Sequence, residues 1–229
     1  MLSKSAARAF FLTGTVLCSG TFIALTIDTF NRIPEQTNAA AITPAVTRGK
    51  VLWEENNCMG CHTLFGEGAY YAPELTRVYE RRGPAFIGAM LKDPEAMYPG
   101  KRKMVNYGFT DEQISDLVAF FQWCNGVNLN GFPPKPDLMP VALTAGGVAA
   151  TADRPQIFNQ MCVACHSLGG QGGVVGPALD GVGKRLSAAD IRLRLKDPLA
   201  AKADSKMPKL PLTDSQIDEL VAFLSLKGN

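Results

Sequence analysis

Two pentapeptides hold most of the chemistry that this sequence can do: Cys58-Met59-Gly60-Cys61-His62 and Cys162-Val163-Ala164-Cys165-His166. Both have the spacing of a c-type haem attachment site. Two thiols three positions apart on one helical turn reach the two vinyl groups of a single porphyrin as thioethers. The adjacent histidine then stands under the iron as its proximal ligand. A zinc ribbon would set its two CxxC pairs roughly 15–20 residues apart, whereas these lie 104 apart (162 against 58). A thioredoxin-type pair would occur once, in a βαβ setting and without the histidine. The expectation is two covalent haem c groups, one on Cys58 and Cys61 and one on Cys162 and Cys165. His62 and His166 are the only histidines in the chain, so none is left over for a copper site, a zinc site or a general base. Cys18 lies inside an apolar stretch and Cys124 at the end of a helical pattern, and both read as small hydrophobes.

With both histidines used, a sixth iron ligand must come from elsewhere, and methionine is the usual soft partner of haem c iron. Met207 is the only methionine downstream of His166, 41 residues on, and it is followed by Pro208. For the first haem three candidates follow His62: Met90, Met97 and Met104. The internal repeat selects Met104, 42 residues after His62 and aligned with Met207. Met97 stays open as an alternative, because Val105 follows Met104 where a proline follows Met207. Two His/Met irons leave no open position for a substrate, and methionine raises the reduction potential relative to a second histidine. Both points favour electron transfer over catalysis. No catalytic residue is assigned, and Gly169-Gly170-Gln171-Gly172-Gly173 reads as chain flexibility around the porphyrin, not as a phosphate loop.

The elements that must position these groups occur twice. At an offset of 104, Pro73 and Leu75 match Pro177 and Leu179, and Leu91-Lys92-Asp93-Pro94 matches Leu195-Lys196-Asp197-Pro198. At an offset of 103, Met104 matches Met207 and Leu117-Val118-Ala119-Phe120 matches Leu220-Val221-Ala222-Phe223. The repeat predicts two copies of one small haem domain. Each copy ends in a helix that opens with a capping box, Thr110 with Gln113 and Thr213 with Gln216, and carries an apolar stripe at i, i+3, i+4, i+7. A shorter helix leads into each haem motif. In the first copy it starts at Thr43-Pro44 and sets Gly49 and Trp53 on one face, so Gly49 can lie at a close helix crossing. In the second copy Arg154 and Pro155 shorten it and predict a looser crossing. Between the copies a proline- and glycine-rich stretch has no helical period.

From Ala9 to Ile27 there is no charged residue. As a helix this stretch rises roughly 28 Å, enough to cross a hydrocarbon core. It exceeds the apolar region of a cleaved signal peptide, so an uncleaved anchor is expected. Lys4 and Arg8 precede the span and keep the N-terminus cytoplasmic, with the haem domains periplasmic in a single-pass protein of the bacterial inner membrane. Small and polar residues within the span, Gly14 and Cys18 among them, suit packing on another membrane helix as well as a plain anchor. The expected fold is mainly α, a transmembrane helix followed by two tandem class I cytochrome c domains. The expected divisions are 1–42 for anchor and connector, 43–137 for domain 1, 138–150 for a linker and 151–229 for domain 2. With 23 Lys+Arg against 21 Asp+Glu the net charge is +2, too small to mark a nucleic-acid footprint. Eight basic residues between Lys184 and Lys209 read either as a rim that steers an acidic redox partner or as an ordinary solvated face.

Leu64-Phe65-Gly66-Glu67-Gly68-Ala69-Tyr70-Tyr71-Ala72-Pro73-Glu74-Leu75, with Glu55-Asn56-Asn57, Arg81-Arg82-Gly83, Pro99-Gly100-Lys101-Arg102-Lys103-Met104 and Phe132-Pro133-Pro134, resembles the small cytochrome c subunit of bacterial nitric oxide reductase. The resemblance covers roughly residues 1–137. It implies a subunit that takes electrons from a periplasmic cytochrome c or cupredoxin and passes them to the haem b of a large membrane subunit, where nitric oxide becomes nitrous oxide during denitrification. It also implies His62 and Met104 as axial ligands, and backbone carbonyls of Gly68 and Tyr70 that help hold a calcium ion at the interface with that subunit. The chain departs from the family in its second haem motif, which reads as an added electron relay. The competing expectations are a dihaem subunit of a haem–copper oxygen reductase and a free membrane-tethered shuttle. A dihaem peroxidase is a third, disfavoured because no free histidine exists.

Overall fold

The computed structural model describes residues 3–100, 104–133 and 154–226. Its first element, α1 (Lys4–Gln36), is capped by Ser3, whose hydroxyl accepts from the Ala6 N–H. It buries no side chain, and Phe10, Phe11, Leu17 and Phe22 all stand exposed. The hydroxyls of Thr26 and Thr29 donate back to the carbonyls of Phe22 and Leu25 at 2.8 Å, the internal pairing that a hydroxyl in lipid needs. The helix is long and apolar enough to cross a membrane, and it continues beyond the expected span. Its far end is fastened to the following unit: the Asn128 N–H donates to Gln36 O at 2.8 Å, and Trp123 Nε1 donates to Asn38 O at 3.3 Å.

α2 (Pro44–Glu55) begins as expected, with Pro44 in the first turn and the Thr43 hydroxyl accepting from the Val46 N–H. It crosses α5 (Asp111–Gly126) at Gly49, where a Cβ would stand 2.1 Å from the Asp116 carbonyl oxygen. Only glycine permits that approach. Beside it Arg48 makes a two-pronged pair with the buried Asp116 carboxylate, both bonds 2.7 Å. Between these helices come a 3-10 turn (Cys58–Gly60), the two-residue strands β1 (Thr63–Leu64) and β2 (Glu67–Gly68), α3 (Val78–Lys92) and α4 (Pro94–Met97). α5 opens with the expected Thr110/Gln113 capping box. Its core side gathers Val46, Trp53, Ile87, Leu117, Phe120 and Cys124.

The same run recurs after residue 154: a π-helical turn (Phe158–Cys162), β3 (Ser167–Leu168), β4 (Gln171–Gly172), α6 (Val182–Arg185), α7 (Ala188–Lys196), α8 (Pro198–Ala201) and α9 (Asp214–Leu226). The hairpin registers are equivalent, Thr63↔Gly68 in one and Ser167↔Gly172 in the other. Thr213 and Gln216 cap α9 reciprocally, at 2.9 and 3.3 Å. Phe158, fully buried, meets Phe223 edge-on at 5.1 Å.

Three details differ from the sequence reading. The lead-in to the second haem motif is short, as Pro155 predicts, but it is π-helical over Phe158–Cys162. α3 is two helices joined at Gly83 (φ 73, ψ 164), and the repeat falls into α6 and α7 at the matching place, where Ser187 caps α7. The glycine run 169–173 is a tight hairpin turn, not a loose loop. Gly169 (φ 63) and Gly170 (φ 72) form its corner as Phe65 and Gly66 do in the first hairpin. The expected linker, 138–150, and Lys101-Arg102-Lys103 lie outside the described residues.

Candidate haem sites

The first candidate site is a cavity of about 590 Å³ between α2, α3 and α5, a size ordinary for a bound organic cofactor. Its wall is largely apolar and includes Trp53, Leu75, Ile87, Phe109, Leu117 and Phe121. Cys58, Cys61 and His62 lie along it, and so does Met104. Met97 does not line the cavity. It is buried in the other hydrophobic core, with Phe158 and Met161.

His62 is oriented by a partner that the sequence reading paired with Pro177 without seeing its role. The ring Nδ1 lies 2.7 Å from the Pro73 carbonyl oxygen. A carbonyl can only accept, so Nδ1 bears the proton and Nε2 keeps its lone pair for a metal. Burial also pulls the His62 pKa below its ordinary value, with the Pro73 contact opposing. The hairpin fixes the backbone beneath. Gly68 (φ +117) approaches so closely that a Cβ would be 2.2 Å from the His62 carbonyl oxygen, and the Phe65 N–H donates to the buried Thr76 hydroxyl at 2.7 Å.

The second candidate site reproduces this arrangement. His166 Nδ1 lies 2.7 Å from the Pro177 carbonyl oxygen, and a Cβ on Gly172 would stand 2.2 Å from the His166 carbonyl oxygen. Met207 is half-buried and packs on the core that contains Cys162, Val163 and Leu168. Its N–H donates to the Ser205 hydroxyl at 3.3 Å.

The thiols are free among the described residues. Burial pushes Cys58 up to about 11 and Cys162 up to about 12, and it raises Cys165 while the Arg82 guanidinium opposes. These are not the lowered thiol pKa values of a disulfide oxidoreductase. Cys124, fully buried and pushed up to about 12, is core packing as expected.

Other expected groups lie apart from the first cavity. Tyr70 is 87% exposed, and Gly68 is exposed beside it. Among the described residues no group of three or more His, Cys, Asp or Glu could hold a metal ion. The basic stretch is partly neutralised, since Arg192, Lys196 and Lys202 pair with Asp218, Asp214 and Asp204.

A histidine held by a backbone carbonyl behind a CxxCH turn, with a methionine on the wall of the same apolar cavity, defines a c-type cytochrome. The family model of cytochrome c matches residues 46–125 and 152–226, and the chain belongs to that family. Its relatives narrow the membership to the C subunits of nitric oxide reductases. The chain is 40% identical over 138 residues to the C subunit of the Stutzerimonas stutzeri nitric oxide reductase, covering 58% of this chain and 94% of the relative. It is 38% identical over 144 residues to the equivalent protein of Halomonas halodenitrificans and 37% over 146 to that of Paracoccus denitrificans, each alignment covering 59% of this chain and 96% of the relative.

Proposed function

We propose that the chain is a membrane-anchored dihaem electron-transfer subunit of a nitric oxide reductase, built as two tandem class I cytochrome c domains over 43–137 and 151–229. In this reading Cys58 and Cys61 attach one haem c, with His62 and Met104 as axial ligands. Cys162 and Cys165 attach the other, with His166 and Met207. The observation that carries the reading is the shared wall of the first cavity: His62, with Nε2 free for a metal, and Met104 both border one apolar space of cofactor size. Met97, buried in the neighbouring core, is poorly placed to compete.

Each haem c supplies a one-electron ferric/ferrous couple when bound, at a potential raised by its axial methionine. The chain's own residues attach it, orient the histidine and exclude water. Arg81, drawn below its ordinary pKa by burial with Glu74 opposing, and Arg82 stand in the same wall and would balance the carboxylates of a bound porphyrin. With His62 and Met104 holding one iron and His166 and Met207 the other, no position would remain for a substrate, and the reduction of nitric oxide would fall to the large, haem b-containing partner.

Electrons would enter from a periplasmic cytochrome c or cupredoxin at the second haem and pass to the first, then to the partner. α1 would anchor the chain with Lys4 and Arg8 on the cytoplasmic side. An interfacial calcium ion would take backbone oxygens from Gly68 and Tyr70, and the rest of its oxygen shell from the partner.

The test is a mild-detergent pull-down from native membranes, with haem counting. Two haem c per chain and a co-purifying polytopic nitric oxide reductase subunit are expected. Recovery of an oxygen-reductase core, or of the chain alone, would overturn the assignment of the partner.

A further inference from the structure

One wall of the first cavity is also part of the second copy's core. Arg82, Phe86, Met90 and Tyr98 line the first cavity. Phe86 is at the same time buried in the second core with Phe158, Met161 and Cys162, and Met90 and Tyr98 pack against that core. Arg82 lies across the Phe86 ring, 5.1 Å from its centre. The backbone approach is equally close, since a Cβ on Gly83 would meet the Gln160 side-chain amide at 2.8 Å.

The repeat itself shows that this face of α3 is specialised. Residues that turn toward their own copy's core are the same in both: Ile87 and Leu91 match Ile191 and Leu195. The neighbouring positions are not. Phe86, Met90 and Tyr98 in the first copy correspond to Asp190, Arg194 and Lys202 in the second, of which Asp190 and Lys202 are exposed. One copy of the helix has apolar residues where it is covered by the other half. Its counterpart is charged, and it faces water at Asp190 and Lys202.

We propose that this face of α3, with Tyr98, docks the two haem domains into one rigid unit and is the route by which electrons pass between the two haem c groups, without a swing of the connecting segment. The inference rests on the dihaem reading above. The step moves one electron, oxidising the iron held at His166 and reducing the iron held at His62. No bond to either iron breaks and no proton is transferred.

The test uses the full-length holoprotein in mild detergent. Magnetic coupling between the two ferric irons is read by pulsed electron paramagnetic resonance, and interhaem equilibration is followed after flash photoreduction. Inserting a flexible Gly/Ser segment between Thr144 and Ala145 is expected to leave both unchanged. Ala89→Arg, at a partly buried position against the second core, is expected to abolish the coupling and slow equilibration while both haems keep their visible spectra. Gln160→Trp, a wedge against the Gly83 backbone, does the same if Ala89→Arg fails to mature. Coupling that falls with the insertion, or that survives both wedges, would overturn the proposal alone. A haem-to-protein ratio of one would overturn the dihaem reading and this proposal together.

Discussion

A histidine becomes a dependable iron ligand only when its second nitrogen is engaged, and here the Pro73 and Pro177 carbonyls do this at the same distance, 2.7 Å. The ring is thereby locked in one tautomer and one orientation. The methionine side of the first site makes a sharper prediction. Met104→Ala should leave the haem covalently attached but convert that iron, one of two, from low to high spin and lower its potential, read by ferric absorption and redox titration. Met97→Leu should change neither, because Met97 belongs to the other core; a high-spin signal there would reverse the assignment. Gly68→Ala tests the hairpin beneath His62. A left-handed φ at an alanine costs about 1–3 kcal/mol, and the added carbon also meets the His62 carbonyl, so haem attachment at the first site should fall sharply in a haem-stained gel. At this scale the equivalence of the two CxxCH turns was legible from spacing alone, and both histidines make the same carbonyl contact. The prolines' role was not legible. Their matching positions in the repeat were visible, but a backbone carbonyl leaves no mark of its own on a sequence.

Elements that signal themselves locally were read well. Both capping boxes, the Thr43-Pro44 helix start and the close crossing at Gly49 follow from short-range chemistry. Gly49→Ala should therefore be costly. Overpacking typically costs about 1–3 kcal/mol, and here the obstacle is the α5 backbone, which cannot rotate aside. A lowered thermal midpoint is expected, whereas Gly14→Ala, with open space around it, should leave the midpoint unchanged. α1 gives a second prediction at this scale. It buries no residue, so deleting residues 1–33 should yield a detergent-free soluble protein with full haem content, since Gln36 and Asn38 remain to fasten the stem. Aggregation of that truncated form would show that α1 packs on the folded part. The π-helical turn and the break at Gly83 were the illegible elements. Both depend on what packs against them: Phe158 must reach the core of α9 from a shortened lead-in, and Gly83 bends where Gln160 comes close.

The largest feature hidden from the sequence reading is the docking of the two halves, although half of its signal was present. The repeat aligned the two copies by what they share, and the docking lies in what they do not share, at Phe86, Met90 and Tyr98 against Asp190, Arg194 and Lys202. Contacts distant in sequence carry no periodicity, so only the loss of polarity on one copy's outer face betrays them. A consequence for stability follows. Met97 lies in the first copy but is 4% exposed in the second copy's core. Removing a buried methionine side chain to alanine costs about 2–5 kcal/mol. Met97→Ala should spend most of that cost in the second half. Hydrogen exchange read by mass spectrometry should accelerate in peptides spanning 156–168 and 214–226, with little change across α2 and α5, because local opening follows the unit whose packing is lost. The reverse pattern, faster exchange in α2 and α5 alone, would mean that the halves fold as separate bodies and that Met97 serves only its own copy.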